Sequence, residues 1–267
     1  MTFSSSEEGA RAAVEANMAE FVKQWNRWSG IEVHDDPEIL QTVCDVPFPL
    51  FNNISRARLP EGREDQILDR ILARSSAPLM WWIGPTTRPL DLADRLRARG
   101  LEQGDDLPGM ALDLADLPSV PEVPDLEVRR VENDADLAAW SDVGAVGFGF
   151  PDFATAPFLD LFCAIGTEPP WHHFVARADG RPVATASLLE GAGVAGLYNV
   201  ATIPEARNRG IAAEISRRAL AVAADLGYRT AILQSTLMAV GVYRRLGFRE
   251  VCKLTLFTGT PNRGETP

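Results

Sequence analysis

The sequence predicts a mixed α/β fold in which helices flank a central sheet, and three observations support this class. Residues 196–203 form an apolar strand candidate that leads into a glycine turn and an amphipathic helix beginning near Gly210. Two alternating segments lie on either side of Asp179-Gly180, a strong turn dipeptide, and so predict a β-hairpin. A further strand, a short helix from Met238 and a last strand follow. Strands and helices therefore alternate in this half of the chain.

Residues 7–28 predict an amphipathic helix at the N-terminus. Val14, Met18, Phe21 and Trp25 recur at alternating steps of four and three residues, which favours a helix that packs one face against a partner surface. Four of the six tryptophans lie within the first 85 residues. They are expected in the core, with the alternative that they line an apolar substrate pocket.

The first 120 residues are interpreted as a degenerate copy of the second half of the same fold, because the predicted elements follow the same order. The alternative is a chance similarity between two α/β segments. Alignment of Gly100 with Gly247 places Leu96 opposite Tyr243, and residues 59–65 opposite the later glycine loop. The predicted elements of the first copy are a strand at 51–54, a helix at 64–74, a strand at 78–83, a short helix at 90–99 and a last strand at 109–114.

A proline-rich segment at residues 117–124 predicts an extended linker between the halves. The predicted organisation is an N-terminal region at 1–117, a linker at 118–125, a domain at 126–260 and a flexible tail at 261–267. Within the domain the predicted elements are a strand at 126–130, helices at 134–146 and 155–164, the hairpin, the strand at 196–203, the helix from Gly210 and a strand at 230–234.

The glycine loop at residues 206–212, Ala-Arg-Asn-Arg-Gly-Ile-Ala, is a candidate phosphate site. The first turn of a helix has N–H groups without helical partners and lies at the positive end of the helix dipole. Gly210 and Ala212 let a diphosphate approach the backbone, and Arg207 and Arg209 add positive charge. The loop lacks the Lys-Ser/Thr pair of a P-loop, and it contains no GxGxxG fingerprint, which argues against nucleotide hydrolysis and NAD chemistry.

Residues 207–212 also fit the R/Q-x-x-G-x-G/A signature of the GNAT acyltransferases, and residues 243–248, Tyr-Arg-Arg-Leu-Gly-Phe, resemble the second signature of that family. Both lie in the expected order and at the expected separation. The resemblance implies a GNAT fold for the second half and a degenerate GNAT-like copy for the first. It also implies acetyl-CoA as the co-substrate, with its pyrophosphate on the glycine loop and its pantetheine arm along the preceding strand.

The resemblance assigns cofactor binding to the end of that strand, to the loop and to one threonine. Thr236 departs from the family pattern, which often carries an asparagine there that contacts CoA. A hydroxyl can still form a hydrogen bond, but it offers fewer donors. The assigned residues are Val200, Ala201, Thr202, Arg207, Asn208, Arg209, Gly210, Ile211, Ala212 and Thr236.

The resemblance further implies direct transfer from the thioester to a neutral amine in a ternary complex, with no acyl-enzyme. A backbone N–H of residues 200–202, splayed open before Pro204, is the expected donor to the developing oxyanion. Tyr243 is the expected general acid for the CoA thiolate. Glu190, the nearest carboxylate on the hairpin, is the candidate general base.

The predicted function is therefore an acetyl-CoA-dependent N-acetyltransferase acting on the amine of a small molecule or a peptide. One alternative is a non-catalytic acyl-CoA-binding sensor or regulatory module, in which the N-terminal half blocks or reshapes the acceptor cleft. Another is an enzyme that uses a longer acyl donor. Retention of Tyr243, against Leu96 in the degenerate half, favours the enzyme.

Composition limits the expected partners. The net charge is -11 and the chain has only two lysines, which argues against nucleic-acid binding. The polar, acidic N-terminus and the lack of a long apolar segment predict no signal peptide and no membrane association, hence a cytoplasmic protein. The sequence leaves both a monomer and a homodimer open.

No metal cofactor is expected. Cys44, Cys163 and Cys252 are odd in number and widely spaced, which argues against a disulfide framework and a CxxC metal site. The last two are expected to be buried small apolar residues. His172 and His173 are adjacent on a predicted strand and should face opposite sides, so they form no metal pair.

Overall fold

The computed structural model describes residues 7–261, whose strands form one mixed sheet, so all but the first residue of the predicted tail at 261–267 lies outside the described residues. The α-helices of this part are α1 (Glu7–Lys23), α2 (Glu64–Ala73), α3 (Leu92–Ala98), α4 (Asp134–Phe148), α5 (Asp152–Ile165), α6 (Ile211–Asp225) and α7 (Val240–Arg245). The strands are β1 (Glu32–Asp36), β2 (Ile39–Val43), β3 (Asn53–Ser55), β4 (Leu79–Ile83), β5 (Glu102–Asp113), β6 (Leu126–Arg130), β7 (Trp171–Ala178), β8 (Arg181–Gly191), β9 (Val194–Thr202), β10 (Thr230–Gln234) and β11 (Arg249–Gly259).

The two halves of the chain exchange strands within this sheet, whose order is β1-β2-β3-β4-β11-β5-β10-β9-β8-β7-β6. β3 and β9 pair in parallel with β4 and β10, respectively. β11 lies antiparallel between β4 and β5, and β5 lies antiparallel between β11 and β10. If β3, β4 and β5 are taken to correspond to β9, β10 and β11, the central order β3-β4-β11-β5-β10-β9 reads the same from either end. The pseudo-twofold arrangement confirms the predicted internal repeat, while the boundaries proposed along the chain remain a prediction.

The N-terminal copy lacks the features of a phosphate site. Beyond the β3–β4 pair, Arg88 N–H donates to Ala57 O (2.9 Å) and Leu59 N–H donates to Arg88 O (3.1 Å), so backbone hydrogen bonds keep this edge closed. The first turn of α2 carries two acidic residues, which repel phosphate. Leu96, at the position aligned with the tyrosine, is fully buried.

Helices cover both faces of the sheet. Phe174 and Val175 are neighbours on β7 and point to opposite faces, each into a different core. The core that contains Phe174 includes Ile215 of α6 and Tyr243 of α7. On the other face, α1 and α4 lie against β8 and β9, and α5 packs on α4. The opening described below therefore lies between two helical layers.

The N-terminal helix follows the predicted apolar stripe. Val14, Met18 and Trp25 are buried, and Phe21 is partly buried, on α1 and the 3-10 helix that extends it. Val14 packs on β5, β10 and β11. Trp25 and Trp81 are fully buried, so the core interpretation is correct for these two tryptophans.

Some elements differ from their predicted limits. The hairpin β1–β2 was not predicted, β5 begins at Glu102, seven residues early, and α7 begins at Val240, two residues late. Residues 102–108 are mostly polar and show no apolar alternation, and it is pairing with β11 that makes them a strand. Residues 117–123 carry no helix or strand, as expected of an extended linker.

Candidate active site

The candidate site is the opening between β9 and β10. These strands pair only at Ala195 and Gly196, opposite Ala231 and Ile232, and then separate. On its other side β9 stays paired with β8 as far as Thr202. The second half of β9 therefore has a free edge toward β10 within the described structure.

Two backbone donors face this opening. Ile203 N–H donates to Val183 O on β8 (3.0 Å). Because N–H groups alternate in direction along a strand, the N–H group of Thr202 points toward the opening and that of Ala201 points toward β8. A bulge between Tyr198 and Ala201, with Asn199 at φ 50°, interrupts this alternation. Asn199 O accepts a hydrogen bond from Thr185 Oγ1 on β8 (2.7 Å), so the N–H of Val200, which is anti to that carbonyl in the same trans peptide, points away from β8 and toward the opening. Two of the three strand residues predicted to contact the cofactor thus offer donors there, and Ala201 does not.

The loop after β9 has the backbone shape of an anion-binding turn. Asn208 and Gly210 have φ angles of 62° and 83°, and α6 begins at Ile211. The N–H groups of Gly210, Ile211 and Ala212 donate to no other residue between 7 and 261. They lie at the positive end of a 15-residue helix. A β-carbon at Gly210 would sit 3.5 Å from Val123 with a strained φ, which explains the glycine.

The two arginines of the loop have different roles. Arg207 donates from Nε to Thr202 O (3.1 Å) and from Nη2 to Gly147 O (2.9 Å), so it ties the loop to the end of β9 and to α4. Arg209 is exposed and forms no hydrogen bond or ion pair with any residue that the structure describes. Arg209 is therefore the arginine of this loop that is free to contact an anion.

The arginines further along α6 are engaged by a carboxylate. Arg218 Nε lies 2.8 Å from Glu214 Oε1, and Arg217 Nη2 lies 3.8 Å from the same oxygen. Glu214 is only 2% exposed although it lies among the charged residues of the helix. Its pairing with the two arginines allows the carboxylate to be buried.

Tyr243 lies beside the opening, in the core of the α6 face. It is 6% exposed, packs edge-on against Phe248 with ring centroids 5.9 Å apart, and shares its cluster with Ile211 and Val200. Its phenolic oxygen has no hydrogen-bond partner among the described residues. Burial raises the pKa of Tyr243 well above its ordinary value, so the phenol stays protonated.

Thr236 lies in the exposed loop between β10 and α7. Its carbonyl oxygen accepts hydrogen bonds from the N–H groups of Ala239 (3.0 Å) and Val240 (3.2 Å), which hold the start of α7. Its side chain is exposed on the β10 side of the opening. The hydroxyl is thus accessible to a bound ligand.

Glu190, the candidate base, lies at the other end of the strands. Its Oε1 is 2.8 Å from Nε2 of His172, and its Oε2 accepts a hydrogen bond from the Tyr228 hydroxyl (3.0 Å). Glu190 pairs with Ala195, and seven residues of strand, roughly 23 Å, separate that position from Thr202. The structure does not bring this carboxylate to the opening, which argues against its role as the base.

The two histidines face opposite sides of β7, as predicted. His172 binds Glu190, whereas His173 Nδ1 lies 2.7 Å from Ser187 Oγ and its ring packs beside Trp140. Burial, reinforced by nearby positive charge, lowers the pKa of His173 to about 3. Its imidazole is therefore neutral at physiological pH.

No group of three or more His, Cys, Asp or Glu side chains between residues 7 and 261 is arranged to hold a metal ion. The three cysteines are free. Cys163 is exposed on α5, so the expectation that it is buried was wrong, and Cys252 is partly buried. No helix within the described range is long and apolar enough to cross a membrane.

Two residues that shape the opening were not singled out from the sequence. A β-carbon at Gly147 on α4 would lie 2.8 Å from Ala201 Cβ, so only glycine allows this approach to β9. Asn17 Oδ1 on α1 accepts a hydrogen bond from the Tyr198 hydroxyl (2.7 Å), just beyond the last β9–β10 pair. The local signals that could have identified them are a glycine inside a helix and an asparagine near an apolar stripe.

Comparison with known families agrees with this geometry. A model of the acetyltransferase (GNAT) family matches residues 139–248, a range that covers the loop, the free edge of β9 and Tyr243. No curated protein shows significant sequence similarity to the chain.

Solved structures with this fold cover nearly the whole chain. A GCN5-related N-acetyltransferase from Kribbella flavida has 18% identity and a TM-score of 0.65, covering 94% of this chain and 97% of its own. A GCN5-related N-acetyltransferase from Sphaerobacter thermophilus has 20% identity and a TM-score of 0.59, and the match covers 90% of this chain and 84% of its own. A tandem GNAT protein from the clavulanic acid biosynthesis pathway has 12% identity and a TM-score of 0.58, and the match covers 97% of this chain and 96% of its own. Residues 139–248 are therefore similar to the GNAT acetyltransferase family, and a degenerate copy of part of the same fold precedes them.

Proposed function

We propose that this protein transfers an acetyl group from acetyl-CoA to the amine of a small molecule or a peptide. One observation carries the proposal: the free edge of β9 leads directly into a helix N-terminus whose first N–H groups have no partner in the described chain. The amides of a pantetheine arm can pair with a free strand edge, and the diphosphate of CoA can accept hydrogen bonds from the free N–H groups of a helix N-terminus. The corresponding edge of the N-terminal copy is closed by Arg88.

The residues present fit acetyl-CoA. Arg209 supplies a free positive charge beside the loop, while Arg207 positions the loop instead of binding the phosphates. The backbone of Val200 and Thr202 pairs with the pantetheine arm. The remaining proposed contacts are the loop residues Asn208, Gly210, Ile211 and Ala212 and the hydroxyl of Thr236.

Acetyl-CoA, when bound, supplies an acetyl thioester. The neutral amine nitrogen forms a bond to the acyl carbon, the C–S bond breaks and its electron pair stays on sulfur. The nitrogen loses one proton and the sulfur gains one, so the products are the acetamide and CoA thiol. One N–H of this edge, from Val200 or Thr202, stabilises the developing oxyanion. Tyr243 donates the proton to sulfur and is reprotonated by solvent, which also takes the proton from nitrogen.

Deprotonation of the amine is proposed to occur to solvent. Along the free part of β9, the Tyr198 hydroxyl donates to Asn17 Oδ1, Thr185 Oγ1 donates to Asn199 O, and Asn199 Nδ2 donates to Ser187 Oγ, which also lies 2.7 Å from His173 Nδ1. Burial lowers the pKa of His173 to about 3, and the other side chains are not bases near neutral pH. The rate should then rise with pH as the fraction of neutral amine rises. A pH–rate profile whose acidic limb titrates with the pKa of an enzyme carboxylate would contradict this.

The cofactor site is tested by isothermal titration of acetyl-CoA. Arg209→Glu should raise Kd at least tenfold, since it places a negative charge beside the phosphates, and tenfold corresponds to about 1.4 kcal/mol. Arg63→Glu is the matched control, because Arg63 is an exposed arginine at the start of α2 in the closed copy. Equal weakening by both variants, or no binding by the folded wild type, would reject the site.

Turnover distinguishes the enzyme from a sensor. Thiol release is followed with acetyl-CoA and a panel of primary amines. An enzyme releases CoA only when an amine is present, whereas an acyl-CoA-binding module binds without amine-dependent release.

A further inference from the structure

Exposed apolar side chains concentrate around the opening. Seven large apolar side chains are exposed in the described part of the chain; three of them lie at the α4–α5 junction, which includes Gly147, and two lie in the loop that follows β10. Large apolar side chains clustered on a surface mark an interaction site, whereas scattered ones need no explanation. The five are Val146 (55% exposed), Phe148 (44%) and Phe153 (54%) at the α4–α5 junction, and Leu237 (56%) and Met238 (78%) in the β10–α7 loop.

The α4–α5 side continues into a wall of aromatic rings. Phe148 stacks on Phe150 with centroids 5.7 Å apart. The ring of Phe48, from the N-terminal half, packs edge-on against the rings of Phe150 and Phe153, with centroid distances of 5.1 Å and 6.4 Å, respectively. Both halves of the chain therefore contribute to this wall, which consists of Phe48, Phe148, Phe150 and Phe153.

The aromatic wall is continuous with the free edge of β9. A β-carbon on Gly147 would lie 3.3 Å from Thr202 N, and Arg207 fixes the Gly147 carbonyl. Phe148 is the next residue, about 4 Å further along the backbone. An amine placed for attack above Thr202 therefore has its substituent beside Phe148.

Charge favours a cation on this side. Residues 131–170, which carry most of the wall, contain seven acidic residues and no lysine or arginine, and only Asp136 among the seven forms an ion pair in the described structure. In residues 28–55, Asp35, Asp36 and Glu38 are instead paired with arginines. The phosphate loop, by contrast, carries Arg207 and Arg209. The field around the opening therefore attracts the cofactor and a cationic acceptor to different sides.

We propose that the acceptor is a primary amine, cationic in solution, that bears an aromatic or other bulky apolar group. The apolar group lies on the aromatic wall and the amine reaches the free edge of β9. Ring stacking and the attraction of an ammonium group to phenylalanine faces both favour this ligand. This inference rests on the proposed acetyltransferase function.

The test measures kcat/KM with saturating acetyl-CoA for 2-phenylethylamine and ethylamine. Wild type should prefer 2-phenylethylamine by at least about 30-fold, in line with burial of a phenyl group. The Phe148→Ala/Phe153→Ala variant should lose about tenfold on 2-phenylethylamine and less than twofold on ethylamine. Leu90→Ala, at an exposed leucine away from the opening, is the control and should change neither value.

The outcomes distinguish failure of this inference from failure of the proposed acetyltransferase function. Acetyl-CoA titration and thermal melts on every variant show that the cofactor site and the fold are intact. Equal use of both amines, equal loss on both in the double variant, or a preference for the zwitterion phenylalanine would overturn the inference while leaving the acetyltransferase standing. Absence of acetyl-CoA binding by wild type would instead remove the proposed function.

Discussion

At the scale of single residues, Tyr243 has the properties of a proton donor. Its ring is held by the core, its phenolic oxygen is unpaired within the described structure, and burial keeps its pKa high. A high pKa keeps the proton in place across the working range, but it also makes donation to a thiolate uphill. In the proposed reaction Tyr243 therefore stays protonated across the working range until sulfur leaves, although the proton transfer itself is uphill.

Tyr243→Phe should lower kcat by roughly 10- to 100-fold and leave the Kd of acetyl-CoA within twofold, because the ring remains and only the proton is lost. Tyr228→Phe is the control, since Tyr228 bonds to Glu190 at the other end of the strands. Stopped-flow thiol release measures the step. Unchanged release in Tyr243→Phe would assign this residue to packing alone.

His173 makes stability depend on pH. Its pKa is about 3 in the folded protein against about 6.5 in the unfolded chain. The unfolded state thus binds more protons between these values, so the contribution of neutral His173 is fully present above pH 6.5 and is lost as pH falls toward 3. In urea unfolding, His173→Gln should reduce the slope of the unfolding free energy against pH in this range by up to about 1.4 kcal/mol per pH unit.

The control for this prediction is His34→Gln, at a partly exposed histidine on β1. It shows how much a histidine-to-glutamine change outside the core alters the pH profile by itself. Identical slopes for His173→Gln and wild type between pH 4.5 and 6.5 would show that this histidine does not titrate on unfolding.

At the scale of elements, α1 fixes the closed end of the opening. Asn17 donates to Gly191 O (2.8 Å) and accepts from the Tyr198 hydroxyl, and the ring of Phe21 stacks on Tyr198 at 4.6 Å. This contact is close because Gly196 has no side chain: a β-carbon there would lie 2.1 Å from Asn17 Oδ1. The N-terminal helix therefore supports the strand on which the chemistry is proposed.

Gly196→Ala should lower the free energy of unfolding by about 1 to 3 kcal/mol, because the new methyl group overpacks the α1 contact. Gly104→Ala is the control, since its β-carbon would meet only Leu256 O at an ordinary 3.5 Å. Urea denaturation measures both. Equal stability of the two variants would mean that α1 adjusts its position freely.

At the scale of the whole molecule, neither half can complete its sheet alone. β11 lies between β4 and β5, both from the N-terminal half, and β5 is the neighbour of β10. A fragment of residues 118–267 would expose the edges of β10 and β11 and leave the core beneath them uncovered.

We expect the 118–267 fragment to show no cooperative unfolding transition by circular dichroism. Co-expression with residues 1–117 should restore the transition, because it returns the missing strands. A fragment that unfolds cooperatively by itself would show that the C-terminal half does not need the exchanged strands.

Short-range patterns in the sequence determined much of the site. The glycine loop, the start of α6 and the position of Tyr243 on a short helix depend on neighbouring residues, whose spacing sets backbone conformation locally. The repeat was also visible, since the same order of elements recurs in both halves. These features need no knowledge of distant partners.

Tertiary structure decided which of these residues meet. Glu190 is close to the strand in sequence, but antiparallel pairing places it at the far end. Arg207 and Arg209 look equivalent, yet carbonyl oxygens of β9 and α4 engage only Arg207. The exchange of β5 and β11 and the contact of Phe48 with Phe150 join residues far apart along the chain. Strand register and packing between distant segments set these contacts, and local spacing carries no information about either.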